Sequence, residues 1–565
     1  MRPSRLYSPR WLLSACVAMT ACSGDDGASG SDSASTTSDD ATAGSASSAT
    51  DTTAGATEGA TSSPTSATSS PTSSPTSSPT SSPTDATSSP TDATSSPTTT
   101  DAATDATTDA TTTLTTDGAT SDTGECVGAT ASLTRPADPI VLRGADLSDA
   151  DWGGLAPQPG DIVAFRYEGG WQQIPVQIDE RDTVSFSDVY NVQNNFDWAR
   201  EDYTDAGTFT GPDADPTFDD NDELVLMARD AGDEACAAAP APDGVTPGSG
   251  VELRVTDPLD QGEGFVYLFV QEGGLDPAAG AAYVTYSFNL LSGAYKATYD
   301  TLDGPNPENT TIETDAYTRR FADRWITDAL HITAGDASGV DILDRHKAQF
   351  PGTCVRSEDT FSNAEGEFVV NRVGPIRALR SYVGANSGPL TQRTHLFYDR
   401  REDVITDLRV HGIPGIMDFY DYGPMAAGMT YTSELEGGGE TIDGAPDTPA
   451  AGLPTWELVS GDQGSLTHVS WVEASFNVAG LGHWYLDDTT PNGVAQCTGD
   501  TWAYGQHGLL ISGNIPNTDP LMQAAQTFAG HRVLYYDAPG LDDAGASQRH
   551  DWVHTPPTVE AVAWP

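Results

Sequence analysis

The stretch YEGGWQQIPVQID, Tyr167–Asp179, decides the fold class. Its Gly169-Gly170 pair suits a tight chain reversal, and the flanking residues alternate between apolar and polar. The stretch therefore predicts a β-hairpin with strands Ile162–Tyr167 and Gln173–Ile178. The same pattern recurs along the chain, in short runs rich in Val, Ile, Tyr, Phe and Thr closed by Gly, Pro or Asp. Strands are expected at Leu224–Ala228, Val251–Thr256, Phe265–Val270, Tyr283–Phe288, Tyr295–Tyr299, Glu367–Val373 and Ile376–Val383. Others are expected at Arg393–Tyr398, Val404–Val410, Leu466–Val472, Gly508–Ser512 and Arg532–Tyr536. Helix signals are few: Asp323–Ile332, and Pro520–Gly530 with Asp519 as its N-cap. The expected class is all-β dominant, a large antiparallel β-sandwich architecture of two packed β-rich domains or one extended sandwich. The Pro/Gly-rich run Ala235–Gly250 would divide a β-rich part, residues 125–240, from a larger one, residues 250–565. Gly437–Gly439 and the acidic run to Pro454 mark a long loop.

The amino-terminal end reads differently. Arg2, Arg5 and Arg10 precede a short apolar run, Trp11–Ala21, and then Cys22. A charged segment, a brief apolar one and small residues make a secretory signal, too short to span a bilayer. The tetrad Met19-Thr20-Ala21-Cys22 resembles the lipobox of bacterial lipoproteins. That resemblance implies a signal peptide over residues 1–21, and lipidation of Cys22 on its thiol and its new amine. Ser23 rather than aspartate implies outer-membrane anchoring, which several acyl chains would make stable. Residues 22–124 are almost wholly Ser, Thr, Ala, Asp, Gly and Pro, with TSSP in tandem from Thr68 to Pro83. Such a segment has too little apolar surface to offset the entropy of ordering, so it predicts a disordered stalk reaching on the order of 60 Å as a coil.

The chain carries 82 Asp+Glu against 26 Lys+Arg, a formal charge of −56. A field of that sign repels nucleic acid and favours cations and solubility. Four cysteines follow the stalk, Cys126, Cys236, Cys354 and Cys497, with no CxxC pair. In an exported chain they predict two disulfides. Of the three connectivities, Cys126–Cys236 with Cys354–Cys497 respects a two-domain split.

Three constellations could carry chemistry. DADPTFDDNDE, Asp213–Glu223, holds six carboxylates and one amide in eleven residues. Asp215, Asp219, Asn221, Asp222 and Glu223 are candidate Ca2+ ligands, although the EF-hand pattern fails. Asx-turns at a strand entry use the same residues. In QRTHLFYDRREDVITDLRVH, Gln392–His411, a five-residue turn at Arg400–Val404 would set His395 opposite Arg409 and Arg393 opposite His411; a four-residue turn would not. His395, Arg409 and His411, with Tyr398 and Tyr422, are the residue types that polyuronate β-elimination requires, a base and a group to neutralise the carboxylate. Structural Arg–His–Asp pairing on strands uses these residues as well. Third, Trp484 and Tyr485 of GHWYLDD and Trp502 and Tyr504 of DTWAYGQHG stand beside Gln506 and His507. Trp198 lies in a similar amide-rich run. Flat aromatic faces with polar neighbours suit sugar rings. The ten histidines are scattered and give no local support to a histidine-rich metal site.

The stretch RVGPIRALRSYVG, Arg372–Gly384, resembles β-sandwich domains of secreted carbohydrate-processing proteins. Together these features predict a lipid-anchored surface protein, held by the membrane through its anchor, that binds extracellular polysaccharide or glycan. The alternatives are a polysaccharide lyase using the His/Arg/Tyr group and a structural or adhesion envelope protein.

Overall fold

Ile162–Tyr167 (β2) and Trp171–Ile174 (β3) pair antiparallel from Ala164–Ile174 to Tyr167–Trp171. The hairpin turns through Glu168, Gly169 and Gly170, and Gly169 has φ +69, a backbone conformation that glycine adopts without strain. The computed structural model describes residues 128–565, apart from 149, 151, 186–198, 209, 292–307, 350–365, 385–390, 491–502 and 519–525. Among the described residues every sheet is antiparallel and there is one α-helix, Asp543–His554 (α1). The fold is an all-β, sandwich-like architecture.

The hairpin belongs to a five-stranded sheet in the order Thr558–Ala563 (β27), Val251–Thr256 (β8), Glu263–Val270 (β9), β2, β3. This sheet takes strands from both sides of the Ala235–Gly250 run, because β2 pairs with β9. A three-stranded sheet of Pro139–Arg143 (β1), Glu223–Met227 (β7) and Gln177–Asp179 (β4) packs on it. Ile140, Leu142, Leu224 and Leu226 meet Ile162, Leu253, Val266 and Leu268 in one buried core. A two-stranded ribbon joins Arg181–Ser185 (β5) to Ala199–Tyr203 (β6).

Two larger sheets follow. The nine-stranded sheet runs Gly366–Val373 (β15), Ala378–Gly384 (β16), Gln392–Phe397 (β17), Arg401–Asp407 (β18), Phe528–Asp537 (β26), Gly464–Ala474 (β23), Trp456–Gly461 (β22), Thr430–Ser433 (β20), Glu436–Thr441 (β21). The eight-stranded sheet runs Thr285–Ser287 (β10), Thr310–Glu313 (β11), Tyr317–Asp323 (β12), Ile326–Ile332 (β13), Leu343–Gln349 (β14), Ile416–Tyr422 (β19), Ala503–Ile511 (β25), Leu481–Asp488 (β24). Their inner faces share a core in which Ile312, Tyr317 and Leu330 of one sheet meet Ala378, Phe397, Leu466 and Leu534 of the other. The outer face of the nine-stranded sheet is buried twice. Leu379, Leu396 and Tyr398 meet Val225 and Met227 of the three-stranded sheet, while Trp456, Val469 and Val533 meet Ala546 and Trp552 of α1. The result is a stack of sheets in the order five, three, nine, eight.

Several expectations need correction. Asp323–Ile332 is not helical: it turns at Arg324-Trp325 between β12 and β13, with Asp323 paired to Ile326. Its apolar residues fit either period, and cross-strand burial decides between them. Phe528–Gly530, expected at the end of a helix, opens β26; residues 519–525 lie outside the description. The observed helix α1 has a capping Asp542, whose side chain accepts from Gly545 N–H, but it buries only Ala546 and Trp552 and so leaves little apolar periodicity to read. Gly437–Gly439 lie not in a loop but in β21, an edge strand, where missing side chains and a bulged register cost least. The strand expected at Tyr295–Tyr299 lies outside the described residues. Cys236 is disulfide-bonded; Cys126, Cys354 and Cys497 lie outside the description. No helix among the described residues is long and apolar enough to cross a membrane.

Candidate functional site

The two large sheets bury a belt of polar side chains between them, contributed by residues whose strand neighbours face the other way. On β17, β18 and β12, His395 Nδ1 meets Glu402 Oε1 at 2.8 Å, and Glu402 also accepts from Tyr536 Oη at 2.7 Å and pairs with Arg319. His395 Nε2 lies 2.9 Å from Tyr382 Oη. Burial pulls His395 down to about 4 against the pull of Glu402. Burial alone would raise Glu402, but Arg319 and the His395 and Tyr536 bonds hold it at about 2.

Next along the belt, Asp418 of β19 takes Arg393 at 2.7 Å, Arg532 at 3.3 Å and His346 Nε2 at 2.7 Å. Burial opposes its ionisation, yet the two guanidiniums hold its carboxyl well below the usual range. Its side chain keeps 17% of its surface open. His346 stacks on Tyr420 with ring centres 4.3 Å apart, and burial pulls it to about 3.

The third segment joins β22 to β24 and β25. Glu457 Oε1 meets His483 Nε2 and His507 Nδ1, each at 2.7 Å, and accepts from Tyr431 Oη at 3.1 Å. His507 Nε2 continues to Tyr422 Oη at 2.9 Å, and Tyr422 Oη to His468 Nε2 at 3.3 Å. The carboxylate oxygen and the two histidine nitrogens lie within 4.8 Å of one another, a compact set of possible metal ligands. Burial pulls His468 well below its ordinary value, helped by His507 and Arg532. A carboxylate–imidazole–phenol–imidazole chain can bind a cation at one end or pass a proton along its length.

Of the His/Arg/Tyr group expected to act together, His395, Arg393 and Tyr422 face this belt, and Arg409, His411 and Tyr398 do not. The turn after β17 has four residues, with Tyr398 N–H donating to Arg401 O, and sets His395 opposite Val404. Arg409 and His411 therefore lie beyond β18, and His411 Nδ1 turns to the carbonyl of Arg409 at 2.8 Å. Tyr398 faces the other side of the sheet, where its hydroxyl accepts from Arg377 at 3.0 Å. Tyr485 points inward, its ring 4.6 Å from Tyr431, and Tyr504 packs on the same core. Trp484 takes the opposite face of β24, partly exposed, and donates its indole N–H to Gln506 Oε1 at 2.6 Å. Gln506 Nε2 donates in turn to Asp421 at 2.9 Å. Trp198 and Trp502 lie outside the described residues.

The acidic stretch is built mainly of local turns. Asp213, Asp215 and Asp219 each accept the backbone N–H two residues on, from Asp215, Thr217 and Asn221. Asp222 accepts from Arg181 N–H and Asp219 N–H, and burial raises it to about 6 despite those bonds. Glu223 is held by Arg181 at 2.9 Å, Arg377 at 2.7 Å and Tyr203 Oη at 2.8 Å. Its oxygens serve the junction between sheets, so a calcium ion at this loop would have to do without them.

Sequence reasoning did not single out His346, Asp418, His468, His483, Glu457 and Arg532. One signal was present. Glu457 stands between Trp456 and Leu458 in TWELVSG, and His468 between Thr467 and Val469, each a polar residue at an inward position of an apolar strand. Neither a protein-family model nor a curated protein matches this chain.

Proposed function

We propose that the chain is an exported, lipid-anchored surface protein whose sandwich engages extracellular glycan by binding. The observation that carries this reading is the mounting of Trp484. Its indole is tied to Gln506, which is tied to Asp421, and it pairs across β25 with Gly508, which offers no side chain to cover it. A flat ring fixed before a ligand arrives stacks on sugar C–H faces at a low entropy cost. Gln506 and Asp421 are themselves buried and so hold the ring rather than meet the ligand. By contrast, His395 and Tyr398 of the Gln392–His411 hairpin spend their polar atoms on buried partners, and binding asks nothing of them. The acidic surface charge favours neutral glycan over polyuronate.

The test is retention of the full chain on a panel of immobilised neutral and uronic-acid glycans. Trp484→Ala is expected to lower retention at least tenfold with an unchanged melting temperature. Retention unaffected by that substitution, or absent from the whole panel, overturns the reading. A second reading, a polysaccharide lyase, is favoured by the Tyr422 hydroxyl between His507 and His468 with Arg532 close by. It expects unsaturated, ultraviolet-absorbing products from a polyuronate, lost in Tyr422→Phe.

A further inference from the structure

We propose that Glu457, His483 and His507 form a zinc site that ties the two large sheets together. The ligand atoms are Glu457 Oε1 from β22 of the nine-stranded sheet, and His483 Nε2 and His507 Nδ1 from β24 and β25 of the eight-stranded sheet. Two imidazoles and one carboxylate are a donor set that zinc accepts in tetrahedral geometry, leaving a fourth position for water or another oxygen. The Tyr431 hydroxyl stands beside the set, 3.1 Å from both Glu457 Oε1 and His483 Nε2, as a neighbouring oxygen. Calcium and magnesium prefer six or more oxygens, which this set does not offer.

The surroundings favour the ion over a simple hydrogen-bonded cluster in two ways. First, the ligands come from three strands of two sheets and converge on one oxygen, in a region where Glu457 and His507 are buried and His483 is nearly so. Second, His507 is oriented from behind as metal-bound histidines are. With zinc on Nδ1, His507 carries its proton on Nε2 and donates it to Tyr422 Oη at 2.9 Å. The Tyr422 hydroxyl then donates to His468 Nε2 at 3.3 Å. Each imidazole keeps a single proton throughout. Around a zinc ion at about 2.0 Å from each ligand, neighbouring ligand atoms stand about 3.3 Å apart. Glu457 Oε1 must therefore retreat by about half an ångström from contacts now at 2.7 Å, a shift within side-chain reach.

The proposal goes beyond the glycan reading and does not depend on it. The full chain, stripped with a chelator and dialysed, is titrated with Zn2+ by calorimetry and with Co2+ by visible absorption. One ion per chain is expected, with the intense d–d bands of tetrahedral Co2+. His483→Gln, at the least buried of the three ligands, is expected to weaken binding at least a hundredfold. Tyr422→Phe, which leaves all three ligands in place, should weaken it about tenfold to a hundredfold. Circular dichroism establishes that both variants are folded. No bound ion, octahedral cobalt bands, or tight binding unchanged in His483→Gln each overturns the proposal.

Discussion

At the scale of single residues, the interior of the sandwich is decided by which charges find partners. Arg319 and Glu402 are both fully buried, and each is the other's charge partner. A buried pair adds little net stability over an apolar replacement, but removing one partner strands the other in a medium that solvates it poorly. Glu402→Ala is therefore expected to destabilise the fold by about 3–5 kcal/mol, read as a lower urea midpoint with an unchanged slope. Glu402→Gln should recover part of that loss, because it still accepts from Tyr536 and Arg319. The same logic explains how much of the candidate site could be read from the chain. Tyr422 and His395 could be named because histidine, arginine and tyrosine crowd around them in sequence. Glu457, His483 and His507 could not be joined, because 26 residues separate the first two and 50 separate Glu457 from His507. Only cross-sheet packing brings them within reach. Arg409 was misplaced because the turn closes after Phe397 rather than around Arg400–Val404, so His395 meets Val404, and an odd shift of register reverses every face.

At the scale of elements, short apolar or alternating runs closed by turn residues were legible, and strands that answer to tertiary partners were not. Ile162–Tyr167 and Val251–Thr256 appear with the bounds the sequence gives them. The β12–β13 hairpin reads equally well as a helix over Asp323–Ile332, because Ile326 and Leu330, four apart, share a face in either period. Its strand character comes from neighbours that no local window contains. The edge strand β27 is a case where one side chain holds an element. Trp564, just past it, packs edge-on to Trp171, Phe269 and Tyr267, with ring centres 5.4, 5.6 and 6.1 Å away. Gly250 allows this approach, since a Cβ there would come within 3.1 Å of the indole. Trp564→Ala should cost about 3–5 kcal/mol and loosen β27 first. Hydrogen exchange at Val559–Ala563 would then quicken before that of β9; equal quickening across the sheet would contradict it.

At the scale of the whole molecule, the belt makes the fold sensitive to acid. His346 and His395 are held neutral, pulled to about 3 and about 4, whereas an imidazole in the unfolded chain titrates near 6.5. Above about pH 6.5 neither state takes these protons and stability is intact. As the pH falls from there toward about 3, the unfolded chain binds protons that the folded one refuses, and stability drains away. Glu402, held at about 2 against an ordinary 4.5, adds to the loss below about pH 4.5. The unfolding free energy obtained from urea titrations should therefore drop by on the order of a few kcal/mol between about pH 7 and about pH 4. A flat profile would mean that the histidines titrate freely.

The pairing of β27 with β8 has a consequence in time. Thr558 and Thr256 are partners 302 residues apart in the chain, and Arg135 reaches Thr555 across 420. A ribosome delivers β2, β3, β8 and β9 long before β27. Until that last strand arrives, β8 presents an open edge and the slot beside Gly250 stands without its tryptophan. Such long-range closure is slow, and an unpaired edge invites pairing with other chains. The earliest-made part of the globular fold is thus finished last, and during that interval it depends on whatever shields nascent strands.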